Sequence, residues 1–228
     1  MIKEAGSVNS DKKVALFFWL SGWCVAYPIV LKLVDAARPA PGLPRVGLAA
    51  LNGWFRDLRH FDEATGYSEF WYVFTQVIGY LALAVSIFWA GIGLVQWVRE
   101  KSLDRVDKSI FVTCCLYIAA LLVFVVFNAL VVNKGPVVTP GDAESSASFP
   151  SPYTMLVVIS MGSTMYLTGY FLEKKEKLVL VLRVLCGAVM IAGVVGRAIS
   201  GVCWLTDILG GILYSTTLLL LYSVFCDV

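Results

Sequence analysis

Six long apolar segments constrain the fold of this chain more than any other feature of its sequence. They run over residues 14–34, 70–97, 110–132, 153–172, 178–196 and 202–225. Each is long enough to cross a hydrocarbon core of about 30 Å. Backbone groups in lipid must pair within the protein, and the alternating strands of a closed barrel are absent. We therefore predict an all-α bundle of six transmembrane helices forming one integral membrane domain over residues 1–228.

Composition narrows the class of protein further. Hydrophobic residues make up 59% of the chain and charged residues 15%, with a mean hydropathy of +0.79, whereas soluble chains carry about 25% charged residues. The net charge of +2 comes without a basic run between aromatic residues, so nucleic acid is not an expected partner. The chain has one histidine and no Cys-x-x-Cys pair, so no metal or other cofactor is expected.

Lysine and arginine are distributed unevenly between the two sets of loops, and this predicts the orientation. On one side lie Lys3, Lys12, Lys13, Arg99, Lys101, Arg105, Lys108, Lys174, Lys175 and Lys177. On the other side lie Arg38, Arg45, Arg56, Arg59, Lys134 and Arg197. We expect both termini in the cytoplasm, with residues 1–13 as a tail. The pattern fits a bacterial plasma membrane and does not exclude a eukaryotic one.

The first outer loop contains an amphipathic stretch, LNGWFRDLRHF. Its apolar residues recur at helical spacing: Leu51, Trp54, Phe55 and Leu58. This predicts either a helix lying in the plane of the lipid headgroups or a loop helix packed on the bundle. His60, on its polar side, is interpreted as a solvated histidine rather than a catalytic one.

The stretch SFPSPYT opens the fourth span. Ser151 is a typical helix N-cap, and Pro152 is a typical first helical residue. A helix N-terminus is also suited to binding an anion, because its free amide groups and its dipole favour phosphate. Lys134 is the other cation of this loop. The residues leave both interpretations open, capping alone or phosphate binding.

Polar residues enter the last span in the stretch GRAISGVCWLTDILGG. Arg197 ends the fifth span, where a guanidinium can bind two phosphate oxygens. Cys203 and Asp207 are four residues apart and are predicted on one face of the sixth span. An ionisable residue inside a span indicates function, and we predict Arg197 and Cys203 as the partners of Asp207. A purely structural Arg197–Asp207 pair is the alternative.

In their order, these stretches resemble the type-2 phosphatidic acid phosphatase superfamily over about residues 70–225. That family has six spans and three motifs. The first is lysine, six residues, then Arg-Pro; the second is Pro-Ser-Gly-His; the third is Ser-Arg, five residues, His, three residues, Asp. The third is the most specific, since GVCWLTDILGG looks like the family's GVHWxTDxxGG with one substitution. The resemblance implies a helical bundle of that kind.

The second motif and the first match the family only in part. Pro150 and Ser151 keep the first half of the second motif, but Pro152 replaces its glycine and Tyr153 its histidine. The first motif is the weakest match. Aligning the family proline with residue 136 puts glycine and asparagine at the basic positions, with Lys134 one residue away.

The third motif keeps two of its four defining residues. Arg197 and Asp207 hold their places, whereas Gly196 replaces the serine and Cys203 the histidine. In the family this histidine attacks phosphorus, oriented by the aspartate, and the histidine of the second motif protonates the leaving alcohol. The resemblance thus assigns Lys134, Ser151 and Arg197 to phosphate binding and Cys203, Asp207 and Tyr153 to catalysis. A cysteine thiolate can attack phosphorus, while tyrosine is a poor proton donor.

Three functions follow. The first is hydrolysis of a lipid phosphate or polyprenyl pyrophosphate at the outer leaflet, impaired or altered because both family histidines are replaced. The second is silent binding or carriage of a phospholipid or polyprenyl phosphate. The third, an unrelated small transporter, would need inverted repeats or broken spans, and no internal repeat is found. The expected partners are a lipid phosphate or pyrophosphate headgroup and membrane lipids; substrate, oligomeric state and organism do not follow from the sequence.

Overall fold

The computed structural model describes residues 2–59, 65–138 and 145–226, with side chains from residue 12 onward. In these ranges the chain forms seven α-helices and a short 3-10 turn at Leu103–Arg105. The helices are α1 (Ile2–Leu33), α2 (Ala49–Asp57), α3 (Glu69–Glu100), α4 (Lys108–Leu130), α5 (Pro152–Phe171), α6 (Glu176–Ser200) and α7 (Leu205–Cys226).

Six of these helices are long and apolar enough to cross a membrane, namely α1 over Lys12–Leu33 and α3 to α7. The predicted all-α, six-span architecture is therefore confirmed. The last junction differs from the prediction, because α6 continues to Ser200 and α7 begins at Leu205 rather than at residue 202. Gly201 ends α6 with a φ of 84°, a left-handed conformation that glycine adopts without steric cost. Arg197 thus lies in the last turn of a helix.

α5 occupies the centre of the bundle. Of its apolar window 56% is buried inside the protein, against 6% for α1. Hydroxyl side chains suit this position, because they hydrogen bond to neighbouring helices where lipid offers no partner. Ser160 Oγ donates to the carbonyl oxygen of Ala82 in α3 at 2.7 Å. Trp89 Nε1 of α3 donates to Thr164 Oγ1 at 3.0 Å. These bonds fix the helix whose first turn contributes to the candidate site.

α2 directs polar side chains toward the bundle and apolar ones outward. Asn52 Nδ2 donates to Thr206 Oγ1 of α7 at 3.0 Å, and Asn52 Oδ1 accepts from Thr206 N at 3.3 Å. Trp54 and Leu58 are each 58% exposed. The helix therefore packs on the bundle through Asn52 and Ala49, and its position at the lipid headgroups stays a prediction. His60 lies outside the described residues.

Candidate functional site

The N-terminus of α5 and the loop before α7 meet at one end of the bundle. Ser151 caps α5, since its Oγ accepts from Thr154 N at 3.3 Å, and Pro152 is the first helical residue. Ser151 N donates to the carbonyl oxygen of Asp207 at 2.9 Å. Ser151 Oγ lies 3.9 Å from Cys203 Sγ. The stretches that carry the second and third motifs are thus in direct contact, and these polar groups are buried.

Two glycines at the start of α7 allow this close approach. A Cβ on Gly211 would lie 2.9 Å from Cβ of Thr154, and a Cβ on Gly210 would lie 2.4 Å from Cε2 of Phe149. Both distances are shorter than real Cβ contacts, so larger residues would push α7 away from α5. The Gly-Gly pair of the third stretch therefore has a packing role.

Arg197 packs its guanidinium against two aromatic rings. Its Cζ lies 4.8 Å from the ring centroid of Tyr153 and 5.8 Å from that of Tyr72, within the range of cation–π attraction. Its Nε and Nη1 atoms are buried and have no hydrogen-bond partner among the residues that the structure describes. A buried donor without an acceptor costs about 1–3 kcal/mol, and more when it is charged. An anion with several acceptor oxygens would remove this cost.

Tyr153 contacts Arg197 through its ring, and its hydroxyl lies next to Gly193. A Cβ on Gly193 would be 3.2 Å from the hydroxyl oxygen. Gly193 is one helical turn further from the Ser200 end of α6 than Arg197, so the hydroxyl lies next to that turn. The hydroxyl is buried and has no hydrogen-bond partner. The position favours a supporting ring over a proton donor, and the catalytic role assigned to Tyr153 stays a prediction.

The Asp207 carboxylate is bound by the segment that precedes α5. Asn133 Nδ2 donates to its Oδ1 at 2.6 Å, and Ser148 Oγ donates to its Oδ2 at 2.5 Å. Within the described ranges neither Arg197 nor Cys203 bonds to this carboxylate, so the predicted partners are wrong, as is the structural Arg197–Asp207 pair. The reason is local, because Cys203 precedes the first residue of α7 and the expected helical spacing does not apply.

Lys134 contributes its main chain to this end of the bundle. Its carbonyl oxygen accepts from the indole Nε1 of Trp204 at 2.7 Å. The side chain is exposed and lines a separate groove with Lys32 and Arg45. In the described part of the chain, no hydrogen bond joins it to Ser151, so a phosphate-binding role for Lys134 stays a prediction.

The sequence analysis missed several residues that shape the site. Asn133 and Ser148, which bind the carboxylate of Asp207, are single polar residues without a spacing that marks them. α2 and the residues just after it bring two more cations to the same end. Arg56 Nη1 is buried without a hydrogen-bond partner among the described residues, and Arg59 donates to the carbonyl of Ala198, next to Arg197. Burial, together with the neighbouring Arg56, lowers the pKa of Arg59 to about 10.

The fold is similar to that of a solved membrane phosphatase. The match is a transmembrane PAP2-type phosphatidylglycerolphosphate phosphatase from Bacillus subtilis, with a TM-score of 0.53, 18% sequence identity and coverage of 96% of each chain. Neither a protein-family profile nor a curated protein sequence matches this chain. The similarity confirms the fold that the three motif-like stretches implied, and it extends over nearly the whole sequence.

Proposed function

We propose that this integral membrane protein, which has the fold of a type-2 phosphatidic acid phosphatase, binds the phosphate or pyrophosphate headgroup of a lipid. Arg197 is the main ligand, the dipole of the α5 N-terminus at Ser151 favours the anion, and Cys203 lies at the floor. The site faces the outer leaflet. Hydrolysis by the family's mechanism is impaired or absent, so the protein acts as a binding protein for lipid phosphates.

The observation that carries the proposal is the pair of unpaired Arg197 nitrogens. Ser151 and Asp207 have protein partners that account for their burial. Arg197 has two aromatic rings beside its charge, and among the described residues two of its nitrogens are buried without an acceptor. An arginine often binds two phosphate oxygens at once, through charge-assisted hydrogen bonds that are roughly twice as strong as neutral ones. A lipid phosphate would neutralise the charge and satisfy these donors.

Impaired hydrolysis is supported by the surroundings of the reacting positions. No histidine occupies either family position. The Asp207 carboxylate is engaged by Asn133 and Ser148 rather than by residue 203. The hydroxyl of Tyr153 lies beside Gly193 and has no hydrogen-bond partner among the described residues. General acid help alone is worth about 10²–10⁴ in rate, so a site without it turns over slowly at best.

A second candidate function is an altered phosphatase with Cys203 as nucleophile. It is favoured by the proximity of Ser151 Oγ to Cys203 Sγ, 3.9 Å, because a hydroxyl donor stabilises a thiolate. The thiolate would form a sulfur–phosphorus bond as the bond to the lipid oxygen breaks, and that oxygen would take a proton. Water would then release phosphate and restore the thiol.

One experiment separates these functions. Purified protein is given phosphatidic acid, phosphatidylglycerol phosphate and a polyprenyl pyrophosphate, and both binding and phosphate release are measured. We expect binding without phosphate release above background. Arg197→Gln should weaken binding about 10–100-fold, since a charge-assisted hydrogen bond contributes about 1.5–3 kcal/mol. Arg105→Gln, at an exposed position in the loop before α4, is the matched control.

The cysteine variants decide between the two candidates. Turnover that is abolished by Cys203→Ala and maintained or increased by Cys203→His would select the altered phosphatase. Robust turnover that survives Cys203→Ala would contradict both versions of the chemistry. Unchanged lipid binding by Arg197→Gln would contradict the binding function itself.

A further inference from the structure

A basic groove lies at the same end of the bundle as Arg197 but on another face. We define it by Lys32 at the end of α1, Arg45 in the following loop and Lys134 after α4, which line a cavity of about 370 Å³. All three side chains are exposed, and no acidic residue lines the groove in the described part of the chain. We infer that the basic groove binds the phosphate of an anionic phospholipid, at a site separate from Arg197.

Local contacts hold two of the cations in place. Arg45 Nε donates to the carbonyl oxygen of Ala36 at 2.7 Å, which leaves its terminal nitrogens for an anion. Lys32 Nζ lies 3.4 Å from the carbonyl oxygen of Leu130, at the end of α4. The loop can pack this closely because Gly47 has no side chain; a Cβ there would lie 2.0 Å from the carbonyl oxygen of Leu31.

The charge of the groove favours an anion even after the helix ends are counted. Two helices, α1 and α4, end here, and a helix C-terminus carries about half of a negative charge. Three full positive charges therefore leave a net charge of roughly +2. The cavity lined by residues 173–178 at another loop is different, because Glu173 and Glu176 lie among its lysines.

The neighbouring surface identifies a lipid rather than a free anion as the occupant. Leu33 is 77% exposed and Leu130 is 55% exposed beside the basic residues. These side chains lie at the ends of spans, where cations commonly meet the headgroups and apolar residues meet the acyl chains. A phospholipid with a net negative headgroup, such as phosphatidylglycerol, can contact both surfaces, whereas inorganic phosphate can contact only the cations.

The test is lipid binding to delipidated full-length protein in detergent, followed by native mass spectrometry. Phosphatidylglycerol is the probe, and phosphatidylcholine and inorganic phosphate are the comparison ligands. Each cation near a membrane surface contributes about a fivefold gain in affinity for anionic lipid. We therefore expect Lys32→Gln, Arg45→Gln and Lys134→Gln to weaken phosphatidylglycerol binding about fivefold each, and the triple variant about 100-fold.

Two controls keep this site distinct from the lipid phosphate site. The triple variant Lys174→Gln, Lys175→Gln, Lys177→Gln removes the same charge from exposed positions in another loop and should bind phosphatidylglycerol as the wild type does. Arg197→Gln should lose the phosphatidic acid site at Arg197, so that one phosphatidic acid fewer binds, while the groove still binds phosphatidylglycerol. If Arg197→Gln bound phosphatidic acid as the wild type does, that result would contradict the proposed function and would leave the inference about the groove untouched.

Any of three results would overturn the inference. One is equal phosphatidylglycerol affinity in the wild type and in the three single variants, which replace exposed side chains and should fold. Another is displacement of phosphatidylglycerol by inorganic phosphate at equal concentration, which would identify a free anion as the ligand. Equal binding of phosphatidylcholine would likewise exclude selection by charge.

Discussion

Replacing Asp207 by asparagine and by leucine should separate a structural role of this buried carboxylate from a catalytic one. Asparagine has the same shape, so its Oδ1 can accept from Asn133 and its Nδ2 can donate to Ser148 Oγ, which also accepts hydrogen bonds. Leucine removes both bonds and leaves Nδ2 of Asn133 buried without an acceptor, while Oδ1 of Asn133 still accepts from Gly47 N at 3.3 Å.

The two hydrogen bonds of Asp207 determine how much stability each variant should lose. A hydrogen bond to a charged group contributes about 1.5–3 kcal/mol and a neutral one about 0.5–1.5 kcal/mol. Converting two bonds from charged to neutral should thus lower the free energy of unfolding by about 2–3 kcal/mol, and the smaller desolvation cost of an amide reduces this loss. Asp207→Leu should lower the free energy of unfolding by more than about 4 kcal/mol, because both bonds disappear and the buried Nδ2 of Asn133 loses its acceptor.

The assay is equilibrium unfolding of purified protein in mixed detergent micelles. Asp57→Asn, which removes the same charge from an exposed position on α2, is the control and should change stability little. A double-mutant cycle of Asp207→Asn with Ser148→Ala should show coupling, since the two side chains share a hydrogen bond. Equal stability of the wild type and Asp207→Leu would refute the structural role. So would an Asp207→Asn variant with full stability that no longer binds lipid phosphate.

Three further predictions concern packing and topology. Tyr153→Phe removes a buried hydroxyl that has no partner among the described residues, and it should raise the free energy of unfolding by about 1 kcal/mol in the same assay. Tyr153→Leu removes the ring beside Arg197 and should weaken lipid phosphate binding about two- to fivefold. Gly210→Ala should lower the free energy of unfolding by about 1–3 kcal/mol, because its Cβ would meet Phe149. Gly187→Ala, whose Cβ would have nothing within 4 Å, is the control and should be neutral or slightly stabilising. Equal effects of the two variants would contradict the packing role of Gly210. A cysteine at exposed Ser146 should react with an impermeant maleimide from outside intact cells, with the wild type as the background control, and labelling only after permeabilisation would invert the orientation.

The sequence predicts those parts of the structure that local patterns determine. Long apolar runs specify the spans, because no other element satisfies its backbone groups in lipid. The capping of α5 by Ser151 followed by Pro152 is equally local, and it is confirmed. Gly201 is a typical residue to follow the last turn of a helix, as it does after Ser200, but the sequence alone does not distinguish this end of α6 from one at Gly196.

The partners of the site residues depend on contacts that no local pattern encodes. Asn133 and Ser148 reach Asp207 from 74 and 59 residues away in the sequence. Tyr153 aligns with a family histidine, but tyrosine is longer, so its ring packs on Arg197 and its hydroxyl reaches Gly193. Matching motif positions therefore predicted where the residues lie, and not which atoms meet.

One segment connects the basic groove with the lipid phosphate site, and this predicts coupling between them. Asn133 and Lys134 line the groove, while Asn133 binds the Asp207 carboxylate at 2.6 Å and Lys134 accepts from Trp204 at 2.7 Å. An anionic lipid that orders this segment should raise the affinity for phosphatidic acid at Arg197, and phosphatidic acid should raise the affinity of the groove by the same factor, because coupling between two binding sites is reciprocal. The two titrations, each repeated with the other lipid present, measure that factor. Asn133→Ala should bring it close to one while leaving the three groove cations intact. A factor of one in the wild type would mean that the segment is rigid enough to hold Asp207 without any lipid.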